Sequence, residues 1–526
     1  MSDTTAGALP LDEPGREVTP RKLIAFSALV FGMFMAILDI QIVSSSLSEI
    51  QAGLSAAPDE ISWVQTSYLI AEVVMIPLSG FLARALSTRI LFTLSALGFT
   101  IASVLCATAT TLPEMVVYRA IQGFVGGGMI PTAFAAAYTI FPRRHLAPIM
   151  AVVGLTVTLA PTIGPTVGGY LTSAFSWHWL FLVNVIPGLA ATVLAWTLVD
   201  FDEPEFSLLK RFDVWGLLAM AVSLGSLQYF LEEGTREDWF NSGIITFFFV
   251  LTIAGGAIFF WRTLRAEVPV VDLSAFRNRN FAVGCTLTFI IGIGLYGLTY
   301  LYPLYLAWVR GYNSLQIGET VFVTGAFMFM SAPMIGMLSR KYDPRIFIGL
   351  GLIGFVISTF ELTPITSQWG FSELFFPQAL RGMALMFCMA PINMLALGTL
   401  PPEQVKNASG LFNLMRNVGG AVGLAIINTM LTTRMDVHKA QLREHIIWGR
   451  NVAEETLQGM TQKLAPVLGS DAEAAALKKL AGIVQREATV LAFADVFLLL
   501  SIFFCVACLF VPLLEKPKMD ASAAAH

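Results

Sequence analysis

Apolar residues in this chain are gathered into long blocks rather than alternating with polar ones at the short periods of strands or of amphipathic helices. Fourteen blocks are long enough to cross about 30 Å of hydrocarbon as helices. They cover roughly 24–46, 62–83, 89–110, 114–138, 147–172, 177–199, 214–232, 243–264, 281–307, 316–339, 346–364, 371–397, 407–431 and 489–513. Most of the connections are short and polar; the stretch 432–488 is not. The pattern predicts an all-α integral membrane protein with 14 transmembrane helices.

Composition narrows the class further. The 526 residues are 56% hydrophobic and 13% charged, with a mean hydropathy of +0.71, well outside the range of water-soluble domains. A net charge of −4 and the absence of a basic tail argue against nucleic-acid binding. The polar start carries Pro10, Pro14 and Pro20, and the apolar run after it is too long for a signal peptide and lacks a small-residue cleavage site, so the first span is expected to be retained. All five cysteines (Cys106, Cys285, Cys388, Cys505 and Cys508) fall in predicted spans, which argues against a disulfide framework. No His/Glu metal motif, nucleophile elbow or phosphate loop is present, so an enzyme is not expected, and neither is a metal or other cofactor.

Positive charge sets the orientation. Segments on the side of the N-terminus hold Arg16, Arg21, Lys22, Arg84, Arg89, Arg143, Arg144, Lys210, Arg211, Arg262, Arg265, Arg277, Arg279, Arg340, Lys341, Arg345, Lys406, Lys516 and Lys518. The short loops opposite hold only Arg236 and Arg310. Both termini are therefore expected in the cytoplasm. Within the long insert, HKAQLREHI and DAEAAALKKLAGIVQREA predict two short amphipathic helices outside the membrane, either a cap over the spans or a docking point for a partner protein.

Residues 160–169, APTIGPTVGG, place prolines and glycines inside an apolar stretch with no charged residue from Leu146 to Val199. In a water-soluble helix each interior Pro costs about 3 kcal/mol and each Gly about 1 kcal/mol against Ala. In a membrane, neighbouring helices re-satisfy freed backbone groups and small residues let backbones touch. Pro161 and Pro165 are four apart, as are Gly164 and Gly168, so both pairs fall near one helix face and predict a bent, grooved helix. Ala160 and Gly169 belong to the same run.

Ionisable residues at membrane depth are expensive and are functional candidates by default. Rise per residue puts Asp39 roughly 10 Å below the outer surface in span 1 and Arg119 roughly 9 Å below it in span 4, so the two can pair. Protonation of such an Asp releases the Arg, which makes the pair a candidate proton switch. Glu72, some 15 Å deep in span 2, has no charged neighbour in its own helix. It either carries a proton or sits protonated and hydrogen-bonded. Arg381 and Arg416 are deep in the second half, where no acid in span 9 matches Asp39; they are expected to supply shape and positive potential. Asp495, Glu319 and Glu361 lie near the outer ends of their spans and read as interfacial.

Several separate stretches resemble one family. FMAILDIQIVSSSL (34–47) looks like a span 1 motif with Asp39, RAIQGFVGGGMIP (119–131) like a span 4 motif with Arg119, Gln122 and Gly123, and APTIGPTVGG like an antiporter signature of span 5. WHWLFLVNVIPG (177–188), NLMRNVGGAVGLAI and QREATVLAFADVF complete the likeness to the fourteen-span drug:proton antiporters of the major facilitator superfamily, of the EmrB/QacA type. There are departures: in GFLARALSTR (80–89) Arg84 stands where that superfamily usually has Asp and Ser87 where it has Gly, and in GMLSRKYDPR (336–345) Arg340 takes the Asp place.

The resemblance implies a major facilitator fold of two six-helix bundles plus two inserted spans, with the 160–169 run as a close-packing hinge between the bundles. On that division residues 1–23 are a cytoplasmic tail, 24–199 the first bundle, 200–280 the inserted spans 7 and 8 with linkers, 281–513 the second bundle including a periplasmic insert at 432–488, and 514–526 a second cytoplasmic tail. It further implies multidrug efflux and antibiotic resistance, by proton-coupled antiport of amphipathic compounds across an inner membrane, with a periplasmic adaptor protein and an outer-membrane channel completing the path. A dedicated exporter of one metabolite, such as a siderophore or fatty acid, and a non-transporting scaffold or sensor are the other readings.

Overall fold

The computed structural model describes residues 19–57, 60–266, 268–444 and 451–516, and the described residues contain helices and no strand. The ends of both predicted tails, with Arg16 and Lys518, lie outside the described residues, as do the side chains of Arg143, Arg144, Pro161 and Arg340. Eighteen α-helices follow in order: α1 (Pro20–Ser45), α2 (Leu47–Leu54), α3 (Trp63–Leu86), α4 (Thr88–Thr108), α5 (Leu112–Gly126), α6 (Met129–Ile140), α7 (Arg143–Ala174), α8 (Trp179–Leu182), α9 (Val185–Leu198), α10 (Val214–Glu233), α11 (Gly243–Thr263), α12 (Arg279–Trp308), α13 (Ser314–Lys341), α14 (Pro344–Phe360), α15 (Phe371–Gly398), α16 (Pro402–Glu444), α17 (Asn451–Leu468) and α18 (Ala472–Ala507). Among the described residues, twelve helical stretches are long and apolar enough to cross a membrane; the fifth and eleventh predicted blocks fall on α7 and α14, of 32 and 17 residues.

Local sequence explains the breaks. The fourth block is cut between α5 and α6 at Gly126, Gly127 and Gly128, where a Cβ on Gly127 would stand 2.9 Å from the Glu72 carbonyl oxygen and one on Gly128 2.8 Å from Ser95 Oγ. Close approach of α3 and α4 thus requires glycine there. The sixth block is cut at Val183 and Asn184, four and three residues before Pro187, whose ring cannot continue the helix that precedes it. By contrast α7 runs unbroken through Pro161 and Pro165.

Packing sorts the spans into two groups. In the first half α1 lies against α6, α7 and α9, α3 against α5, and α4 against α5 and α9. In the second half α12 lies against α15 and α16, α14 against α15 and α18, and α13 against α15. The groups meet where α7 packs on α13 and α15, and where α3 and α6 pack on α16. α10 and α11 form a pair, with α10 resting on α3 and α16. In α11 only Ile245 and Gly255 are buried, so this helix turns almost all of its surface outward.

The long insert departs from expectation. Its two predicted stretches are not separate helices: the first continues α16, which is 43 residues long, and the second begins α18, which is 36. At 1.5 Å per residue these reach roughly 65 and 54 Å, far beyond the hydrocarbon. No Pro or Gly falls between Leu424 and Glu444, so nothing stops α16 at the membrane surface. A further helix, α17, packs on α18. Asp495 ties the projection together by accepting from Arg434 Nε and by bonding His438 Nε2 at 2.7 Å. Glu444 is the last described residue of the first stretch.

Candidate functional site

Spans 1, 2, 3, 4 and 6 converge on one buried polar cluster. Asp39, fully buried in α1, accepts from Arg119 Nη1 at 2.7 Å on Oδ2. Its Oδ1 accepts from Gln122 Nε2 at 3.2 Å and from Asn184 Nδ2 at 2.6 Å. Arg119 also donates to the Val64 carbonyl at 3.2 Å and to Gln122 Oε1 at 2.6 Å, with its guanidinium carbon 4.2 Å from the centre of the Tyr68 ring. Gln122 hands its other amide hydrogen to Ser103 Oγ at 2.9 Å. The carboxylate has three donors, while the cation donates through Nε and Nη1, stands over an aromatic face and keeps Nη2 without a hydrogen-bond partner among the described residues; removing one partner of such a buried pair alone costs about 3–5 kcal/mol.

Gly123 explains how α5 comes so close. A Cβ there would stand 2.2 Å from the Tyr68 carbonyl oxygen, so only glycine allows this approach of α5 to α3, and it brings Arg119 and Gln122 to Asp39. Asn184 escaped the sequence reading, although it stands in the quoted WHWLFLVNVIPG motif. The break before Pro187 frees it from a regular helix, and its amide caps Asp39 instead of a helix end.

Next to this cluster lies a cavity of about 450 Å³ between the two groups of spans. Its lining includes Gln41 of α1, Glu72 of α3, Pro165 of α7, Glu232 of α10, Tyr300 of α12 and Asn417 of α16. Glu72 is buried and its Oε1 has no hydrogen-bond partner among the described residues. Asp39 and Arg119 do not line the cavity; Ile40 and Leu69 stand in that wall. Of the three residues singled out for proton coupling, two are joined to each other and the third faces open space.

The buried arginines of the second half stand behind the cavity. Arg381 Nη2 donates to Thr299 Oγ1 at 2.6 Å, and its guanidinium carbon is 5.3 Å from the Tyr302 ring centre. The guanidinium nitrogens of Arg416 have no hydrogen-bond partner among the described residues, and Phe134 of the other group lies 5.7 Å away. No described carboxylate is within ion-pair distance of either, but Arg416 and Glu72 act on each other electrostatically across the cavity wall.

The proline and glycine run sits differently from expectation. A Cβ on Gly164 would stand 2.4 Å from Gln41 Cβ, and one on Gly168 2.9 Å from the Ile42 carbonyl oxygen, so the glycine face docks α7 on α1 inside its own group. Contact with the other group runs through Thr166, whose Oγ1 is 2.2 Å from where a Cβ on Gly318 would be. Ala160 is buried, Gly169 half-buried and Pro165 faces the cavity. Glycine spacing marks a face that backbones can approach closely but does not say which helix it meets.

The closed end of the cavity is the end at which α1 begins. There Tyr138 donates to the Asn393 carbonyl at 2.6 Å, Ser409 to the Pro131 carbonyl at 3.2 Å, and a Cβ on Gly80 would lie 2.8 Å from Asn407 Cα. At the other end the lining reaches Ala307 in the last turn of α12 and Ile317 near the start of α13.

Two helical groups clasped around a central cavity, sealed at one end and carrying buried charge, define a membrane transporter. Residues 29–424 match the model of the Major Facilitator Superfamily. The chain is 42% identical over 495 residues to the colistin resistance protein EmrB of Acinetobacter baumannii, covering 94% of this chain and 96% of that one. It is 32% identical over 422 residues to the multidrug export protein EmrB of Haemophilus influenzae, covering 80% and 82%. Its fold resembles that of the human organic anion transporter MFSD10, with a TM-score of 0.56 at 13% identity over 92% of this chain and all of that one. The chain belongs to the Major Facilitator Superfamily, among its EmrB-type multidrug efflux transporters, and is a multi-pass membrane protein rather than an enzyme.

Proposed function

We propose that this protein exports amphipathic or hydrophobic organic compounds in exchange for protons, by alternating access, from an inner membrane with both termini in the cytoplasm. The observation that carries the proposal is the buried Asp39–Arg119 pair, which ties spans 1 and 4 behind the wall of the cavity. A proton on Asp39 cancels the charge that holds Arg119 and leaves that cation with only neutral acceptors, Val64 and Gln122. Coupling is then indirect: protonation loosens the first bundle, and Glu72, facing the cavity, senses the cargo. The names of the relatives, colistin resistance and multidrug export, support an organic cargo. The division into bundles 24–199 and 281–513, with spans 7 and 8 inserted in 200–280 and fourteen spans in all, is part of the same proposal.

The projection formed by the outer ends of α16 and α18 with α17 is the proposed docking point of a periplasmic adaptor, which with an outer-membrane channel makes a tripartite path. The test of the antiport reading is transport of a fluorescent amphipathic dye in proteoliposomes under an imposed pH gradient. The wild-type chain moves the dye and Asp39→Asn falls to the rate of empty vesicles. Gradient-driven movement by Asp39→Asn removes Asp39 from coupling.

A further inference from the structure

The inserted spans would serve only as a spacer if α10 merely filled the gap beside α3 and α16. The cavity argues otherwise, because Gln228, Leu231 and Glu232 of α10 form part of its wall. Two glutamates stand side by side at the end of this helix and do different things. Glu233 is buried against α3, where it accepts from Ser62 Oγ at 3.2 Å and pairs with Arg236 at 3.1 Å. Glu232 faces the cavity; its one hydrogen bond is from Gln228 Nε2, one turn earlier, at 3.0 Å, and no basic side chain among the described residues pairs with it.

From another helix the cavity receives Glu72, with a buried carboxyl oxygen that has no hydrogen-bond partner among the described residues. Tyr296 and Tyr300 add aromatic surface to the same lining. The buried Arg381 and Arg416 lie outside that lining, although Arg416 acts electrostatically on Glu72 and Tyr296 from behind it, which leaves Glu232 as the lining carboxyl with no cation acting on it. Carboxylates and aromatic rings without a lining cation favour a positively charged guest with apolar flanks.

We propose that α10 makes the cavity charge-selective, with Glu232 as a specificity-determining residue for lipophilic organic cations. Gln228 orients the carboxylate, and Glu72 places a second carboxyl group in the wall. This rests on the reading of the cavity as the cargo site. It does not require that cargo movement be coupled to protons, so the two can fail separately.

The test compares binding of three similar shapes to the purified full-length chain: tetraphenylphosphonium, the neutral triphenylphosphine oxide and the anion tetraphenylborate. The wild-type chain binds the phosphonium most tightly, and Glu232→Gln lowers the ratio of phosphonium to phosphine oxide affinity by about tenfold or more, with Glu232→Asp recovering part of it. An unchanged ratio in Glu232→Gln overturns the proposal. So does a wild-type chain that prefers the borate or fails to discriminate, a measurement that needs no variant to fold. Charge-selective binding in a chain that moves no protons would leave this proposal standing and defeat antiport.

Discussion

Lys406, in the first turns of α16, rests against the carboxylate of Asp202, which follows α9 in the other half of the chain. The same carboxylate accepts from the Thr88 backbone N–H at 2.9 Å and from Thr88 Oγ1 at 2.9 Å, at the start of α4. Lys406 also donates to the Ala83 carbonyl at 3.3 Å. This arrangement answers the departure in GFLARALSTR. Arg84 occupies the usual Asp place, and the negative charge at the head of α4 arrives instead from the linker after span 6. Ser87 keeps a left-handed φ of 78° although it is not glycine. In the second half, Asp343 of the repeated loop caps its own helix α14 by accepting from the Arg345 N–H at 3.1 Å.

Asp202 and Lys406 hold the two bundles together at the closed end, and their side chains are only 11% and 16% exposed, so water screens the pair little. Breaking it should shift the conformational balance by about 1.5–3 kcal/mol. Asp202→Asn and Lys406→Met are each expected to raise the labelling rate of a cysteine reporter at Ser409, and the exchange Asp202→Lys with Lys406→Asp to bring it part of the way back. Equal labelling in all of these would show that the pair does not hold the closure.

Two glycines separate folding from gating. Gly123→Ala drives a methyl group into the Tyr68 backbone inside the first bundle and should lower thermal stability, by about 2 kcal/mol or more as an overpacked core does. Gly80→Ala meets the Asn407 backbone across the bundle boundary, so it should spare the melting temperature and open the closed end to the same cysteine reporter. If both variants lower the melting temperature alike, the boundary is not a moving interface.

Asp495, in α18, holds the outer stretch of α16 to α18 through Arg434 and His438. Asp495→Asn is expected to make the 432–488 projection more open to limited proteolysis while dye transport in proteoliposomes without an adaptor continues. Unchanged cleavage would show that helix packing alone holds the projection.

Much of the architecture was legible because membrane burial leaves a coarse mark: apolar blocks, basic residues gathered on one side, and buried charges conspicuous by their cost. Depth counted along two helices was enough to bring Asp39 and Arg119 to one level. What the chain does not reveal locally is which faces meet. Gly164 and Gly168 announce close packing, but their partner is α1 because Gln41 and Ile42 are shaped to receive them. Nothing in the local sequence separates Glu232 from its neighbour Glu233 at the end of α10, and only the docking of α10 on α3 and α16 turns Glu232 into the cavity. Asp202 is an ordinary linker acid until the fold carries Lys406 to it. The length of α16 was hidden for another reason: the usual signal for a helix end is a Gly or Pro, and polarity after Leu431 marks the membrane surface without ending the helix.

Proton release on cargo binding tests the central claim most directly. In weakly buffered detergent solution containing a pH indicator, adding a bound amphipathic compound to the wild-type chain should release protons, and Asp39→Asn should bind the compound while releasing none. Proton release by Asp39→Asn equal to that of the wild type would contradict the coupling role of the Asp39–Arg119 pair.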